Sequence, residues 1–176
     1  MPPSPANISV APYGAMAHYN RWINQRLYAL IENIPDTQRK ANMGAHFGSI
    51  HATLSHLVWA DRIWLARFTD QPIPESQPWG ADLFPEFTDL MASRFAVDDQ
   101  IHLWVQSLHP EDLERVLTLR AISNGKIRRG PLWVFVTHFF NHQTHHRGQI
   151  TTLLRQLGYD PGVMDLPAMP GLLETS

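Results

Sequence analysis

Four of the chain's ten histidines lie within HFFNHQTHHRGQI, residues 138 to 150, as His138, His142, His145 and His146. Two imidazoles four residues apart on a helix stand one turn above each other, so both can aim a nitrogen at one ion about 2.0–2.1 Å away. His142 and His146 have that spacing. Taking about 100° per residue with His142 as origin, Leu132, Phe135, Phe139, Ile150, Leu153 and Leu157 gather between about +20° and +80°, which marks a buried face. His146 falls inside that sector at about +40° and His142 at its edge, while His138 and His145 lie further round at about −40° and −60°. Two inward histidines carry four ring nitrogens into apolar surroundings, and each left without a partner costs about 1–3 kcal/mol. A divalent ion satisfies two of them together. Hydrogen bonds among core or surface histidines are the competing account.

The sequence contains no cysteine, which removes disulfides, thiolate ligands and a cysteine nucleophile together. Any ion must therefore be held by nitrogen and oxygen. A third ligand has to come from another helix, and His51 and His56 are the candidates in the second periodic segment. The apolar residues of that segment centre away from both. Ser49, Ala52, Thr53, His56 and Ala60 share a side of small residues that lets a neighbouring helix approach, whereas His51, flanked by Gly48, Ser55 and Arg62, reads as a surface residue. Asp61 and Asp165 are oxygen donors that could support a ligand from outside, as well as ordinary caps or surface charges.

The elements that must position these residues follow from apolar periodicity. Met16, Asn20, Ile23, Leu27, Leu30 and Ile34 recur at helical steps across about residues 13 to 34, and Pro35 ends the run. A second helix is expected over about 47 to 68, closed by TDQPIPESQPWG with its three prolines and a glycine. A third fits about 85 to 108, with Phe87, Leu90, Arg94, Val97, Ile101, Trp104 and Leu108 inward and Pro85 in its first turn. VLTLRAISNGKIRRG then places an Asn-Gly pair between alternating segments, the pattern of a small hairpin or extended loop. The fourth helix covers about 131 to 157 and stops at Gly158, before a Pro- and Gly-rich tail. Four long helices with two long links predict an all-α fold, a four-helix bundle with crossover connections, as a single domain over residues 1 to 176.

Fourteen Lys and Arg against sixteen Asp and Glu give a net charge of −2, and no basic stripe tracks a phosphate backbone, so no nucleic-acid partner is expected. The N-terminal MPPSPANISVAPYG has neither the basic start nor the apolar core of a signal peptide, and no run approaches the roughly 20 apolar residues that span a bilayer. The expectation is a cytoplasmic protein with no membrane contact.

HYNRWINQRL, SIHATLSHLVWADRIWLARF, HFFNHQTHHRGQI and GYDPGVMDLPAMP together resemble the DinB family of the DinB/YfiT-like superfamily. The resemblance covers nearly the whole chain and implies a four-helix bundle that holds a divalent ion, zinc or nickel, with one His from the second helix and a His-x-x-x-His pair from the fourth. Carried over by motif, the metal ligands are His56, His142 and His146; the choice of His56 over His51 rests on the resemblance. His138 also matches a frequent histidine of the family, which implies a place lining the site or contacting a ligand. The family implies a homodimer, for which Trp22, Trp79 and Trp133 would suit a subunit interface.

Three neutral imidazoles leave a fourth coordination position open, as catalytic zinc sites do. Such a site can lower the pKa of bound water for hydrolysis, or bind a thiolate for transfer or isomerisation. The resemblance implies a low-molecular-weight thiol as cosubstrate, and this chain would have to take it from solution. Arg147, beside His146, is a candidate partner for a substrate carboxylate or a structural Asp. The expectation is a divalent-metal-dependent S-transferase, isomerase or hydrolase with a small-molecule substrate. The alternative is a non-catalytic, stress-related dimer whose ion only ties two helices together.

Overall fold

Pro12 opens the first helix at a position where its missing N–H has no helical partner to lose, and Tyr13, Ala17, Asn20, Asn24, Leu27 and Ile31 then turn one stripe inward. The computed structural model describes residues 8–73, 83–122 and 124–174, and in it this helix, α1, spans Ala11–Glu32. It ends two residues earlier than the apolar pattern suggests, because Asn33 folds back to donate to Ala29 O at 2.8 Å and Pro35 follows. A short exposed helix, α2 (Asp36–Arg39), comes next. The second long helix, α3 (Ile50–Phe68), starts where Ser49 Oγ accepts the amide of Ala52 at 3.1 Å, three residues after the expected start. The third, α4 (Phe87–Gln106), begins after Pro85, which lies ahead of the helix instead of in its first turn.

A five-residue helix, α5 (Pro110–Glu114), leads into the predicted hairpin, with β1 (Val116–Arg120) and β2 (Ile127–Pro131) antiparallel and Leu119 opposite Arg128. Gly125 takes a positive φ of 68° at its turn, a conformation that only glycine adopts without strain. Arg67 and Arg115 pin this hairpin to the end of α3, donating to Arg120 O at 2.8 Å and Phe68 O at 2.7 Å. The last long helix, α6 (Leu132–Gln156), carries the histidine motif. Beyond it the tail lies along α1, where Tyr19 Oη donates to Met164 O at 2.5 Å and Arg26 to Val163 O at 2.8 Å.

Within the bundle α1 packs against α4 and α6, and α3 packs against the same two helices. Consecutive long helices α1 and α3 therefore occupy opposite corners, as do α4 and α6, which requires the long connections at 33–49 and 107–131. The core is a contiguous cluster in which Tyr28, Ile31, Ile50, Val58, Leu90, Ile101, Val136, Phe139, Ile150 and Leu154 are all fully enclosed. Trp22 and Trp133 are each half-buried, and Trp79, with most of the Pro-rich link, lies outside the described residues. Among the described residues no helix is long and apolar enough to cross a membrane.

Candidate metal centre

His56 leaves the small-residue side of α3 and meets His142 and His146 from successive turns of α6. Their Nε2 atoms converge: His146 to His142 at 3.0 Å and His56 to His142 at 3.4 Å, with one nitrogen from each ring within 4.8 Å of the others. Nitrogens about 2.0–2.1 Å from a shared ion in tetrahedral array stand about 3.3 Å apart, which the His142–His146 and His56–His142 separations approach. Three lone-pair nitrogens facing one another also have no mutual arrangement that satisfies them all, which a cation between them resolves.

The surroundings set the protonation that ligation needs. Gln149 Oε1 lies 2.7 Å from His146 Nδ1, so the proton resides on Nδ1 and Nε2 turns its lone pair inward. The Phe47 ring stacks on His56, with centroids 4.0 Å apart and planes 22° from parallel. Burial, reinforced by the neighbouring imidazoles, pushes His56 and His142 down to about 3 and lowers His146 as well. All three rings are neutral at pH 7, the form that binds metal.

The family model of the DinB family matches residues 7–172. The chain belongs to the DinB family. "Protein DinB" of Bacillus subtilis strain 168 is 28% identical over 149 residues, spanning 80% of this chain and 83% of that protein. A DinB-like protein from Bacillus cereus ATCC 10987 superposes with a TM-score of 0.62 at 20% identity, over 81% of this chain and 91% of the other. YfiT from Bacillus subtilis, described as a probable metal-dependent hydrolase with an unusual four-helix bundle topology, gives a TM-score of 0.67 at 14% identity, over 88% and 93%. The all-α bundle with crossover links is thus the fold of this DinB chain and of its structural neighbours.

The other residues singled out in the sequence separate into two groups. His138 is exposed beside the cluster, its ring 5.2 Å from Trp64 and 5.9 Å from His142. Arg147 and Asp61 instead face the bundle interior, 3% and 0% exposed. Arg147 donates to Asn20, to Gln143 Oε1 at 3.2 Å and to Thr144 Oγ1 at 3.3 Å, so its partners are neutral side chains of the bundle and no solvent-borne carboxylate reaches it. Asp61 Oδ2 accepts from Arg94 and from Gln143, each at 2.5 Å. His51 corrects the surface reading: it is 3% exposed, and its Nε2 meets Phe84 O at 2.6 Å, because the chain entering α4 covers that side of α3. Asp165 is exposed ahead of a single 3-10 turn, Leu166–Ala168.

Three contributors went unread in the sequence. They are Gln149 on α6, and His46 and Phe47 from the loop ahead of α3. That loop is shaped by Gly48, whose φ of 80° and amide bond to Ala45 O at 2.8 Å make a tight turn. On the opposite side of the cluster a cavity of about 500 Å³ opens between α3, α6 and the hairpin, with His56, His138 and His142 at one end.

Proposed function

We propose that this DinB-family chain is a divalent-metal-dependent hydrolase whose ion, zinc or nickel, is held by His56, His142 and His146. The observation that carries this reading is the convergence of three Nε2 atoms at the head of a cavity, two of the three rings lining that cavity. An ion so held supplies Lewis acidity and a position open to water or substrate. A purely structural site would be closed by a fourth protein ligand, and among the described residues the only metal-ligating group of three or more is this trio. The description of YfiT as a probable metal-dependent hydrolase supports the same reaction class by analogy of fold.

The chain's own side chains have assignable work around that ion. Phe47 covers one face of His56 and excludes water from it, while Gln149 fixes the tautomer of His146. His138, exposed at its outer edge but partly desolvated against the cavity wall, is held below the ordinary histidine value there, where it can accept a proton.

Elemental analysis of tag-free protein purified without added metal tests the ligand set, with His56→Ala, His142→Ala, His146→Ala and His51→Ala beside the wild type. About one equivalent of metal in wild type and His51→Ala, lost from the other three, is expected. A panel of ester and amide substrates then tests hydrolysis with the metal-loaded protein. Wild-type protein that takes up no zinc or nickel on reconstitution would sink the reading.

A further inference from the structure

His56, Trp59, Ile63 and Arg67 recur at steps of three and four on α3, so one stripe of that helix runs about 16 Å along its axis from the histidine cluster to a guanidinium. All four line the cavity, and Phe135, His138 and His142 face them from α6. The cavity therefore has two chemically different ends joined by an apolar middle. At one end are imidazoles; at the other are Arg67 and, on the hairpin strand β2, Arg128. No carboxylate lines it among the described residues.

Arg67 is held as a fixed cation. Its Nη2 donates to Arg120 O at 2.8 Å and its guanidinium packs 5.0 Å over the Trp64 ring. Its Nε is buried and has no hydrogen-bond partner among the described residues. A cation partly removed from water is normally paired, and neither of these neighbours carries the opposite charge. We propose that the cavity binds an elongated organic carboxylate: the carboxylate on Arg67 and Arg128, an aromatic or aliphatic body against Ile63, Trp64 and Phe135, and the reacting group beside His56 and His142. A monoanion of low hydration suits this lining better than a phosphate, whose desolvation in apolar surroundings costs more. The position of the reacting group rests on the hydrolase reading above. The carboxylate end does not.

Calorimetric titration with 6-phenylhexanoate and its neutral twin 6-phenylhexanamide tests the anion end, in protein stripped by a chelator and in protein reloaded with zinc. The acid is expected to bind about tenfold tighter than the amide in both forms, the scale of one charge-assisted hydrogen bond. In Arg67→Gln the ratio should fall towards one while the amide affinity holds, which also shows that the variant is folded. Arg67→Lys should keep part of the ratio. The exposed Arg128→Gln should lower it without touching the core, and it decides the matter if Arg67→Gln does not fold. Equal affinities for acid and amide, binding of neither, or a ratio unchanged in whichever of the two Gln variants folds would overturn the proposal. So would a preference that survives Arg67→Gln but vanishes on chelation, since the carboxylate would then sit on the ion. A chain that takes up no metal yet keeps the acid preference would defeat the hydrolase reading alone.

Discussion

Gln143 Nε2 donates to Asp61 Oδ2 at 2.5 Å, joining the residue after the candidate ligand His142 to the helix that carries His56. The bond is one side of a closed ring through four helices. Arg94 on α4 links Asp61 to Asp98, Asn20 on α1 donates to Asp98 at 2.8 Å, and Arg147 on α6 links Asn20 back to Gln143. Two carboxylates and two guanidiniums balance within it, all almost fully enclosed. Removing the shared cation in Arg94→Met leaves two buried carboxylates, and a loss of about 3–5 kcal/mol is expected from urea denaturation at pH 7. Gln143→Leu, which leaves Asp61 its Arg94 bond, should lose about 1–3 kcal/mol. An Arg94→Met protein as stable as wild type would show that the ring does not hold the bundle together.

Gln149 acts on His146 through the ring nitrogen that faces away from the cluster. Without that acceptor, the Nδ1 proton and the ring orientation lose their restraint. Gln149→Leu should therefore weaken zinc binding by about 10–100-fold, while Gln149→Glu, which still accepts the Nδ1 proton, should hold or improve it. Competition with a chromophoric chelator at pH 7.5 measures both. Equal affinities for wild type and Gln149→Leu would remove Gln149 from the site.

The difference between these two sets of residues explains what the sequence discloses. The four helices are legible because each buries one stripe, as Phe135, Phe139, His146, Ile150 and Leu153 do on α6. The same period put Arg94 on the inner side of its helix, and it is 1% exposed. Facing angles also separated His142 and His146 from the outward His138 and His145. They could not say what covers a face. His51 shares its side of α3 with polar neighbours, yet Phe84, more than thirty residues later in the chain, closes over it. The periodicity counts Phe47 into the second helix, which starts only at Ile50, and gives His46 no place; both positions depend on the turn at Gly48. Nor does any spacing rule announce that Arg147 pairs with Asn20 across 127 residues.

The buried His51 should behave as a structural residue. Its Nε2–H donates to Phe84 O at 2.6 Å, fixing the entry to α4. His51→Ala deletes the donor and leaves a cavity, so a stability loss of about 1–3 kcal/mol is expected with metal content unchanged. Parallel thermal unfolding and elemental analysis read the two effects separately. Loss of metal from a folded His51→Ala protein would mean that the wrong histidine of α3 has been assigned to the site.

The neutral state of the cluster has a direct consequence for pH. His56 and His142 are held down to about 3, chiefly by burial and then by adjacent imidazoles, whereas an unfolded chain titrates its histidines near 6.5. Below about 6.5 the unfolded state therefore binds more protons, and the chelated protein loses stability as pH falls towards 3; above 6.5 these rings contribute no slope. Asp61 works in the opposite direction. Its burial raises the carboxyl to about 6 against the pull of Arg94, so the folded state takes up that proton first and offsets part of the loss between about 6 and 4. Comparing wild type with His142→Ala cancels the Asp61 contribution, because both proteins keep it. Urea denaturation of the chelated proteins at pH 7.5 and 5.0 should show a larger stability loss in the wild type than in the variant. Identical losses would mean that His142 titrates in the folded protein as it does in the unfolded chain, and that its ring is not held neutral for an ion.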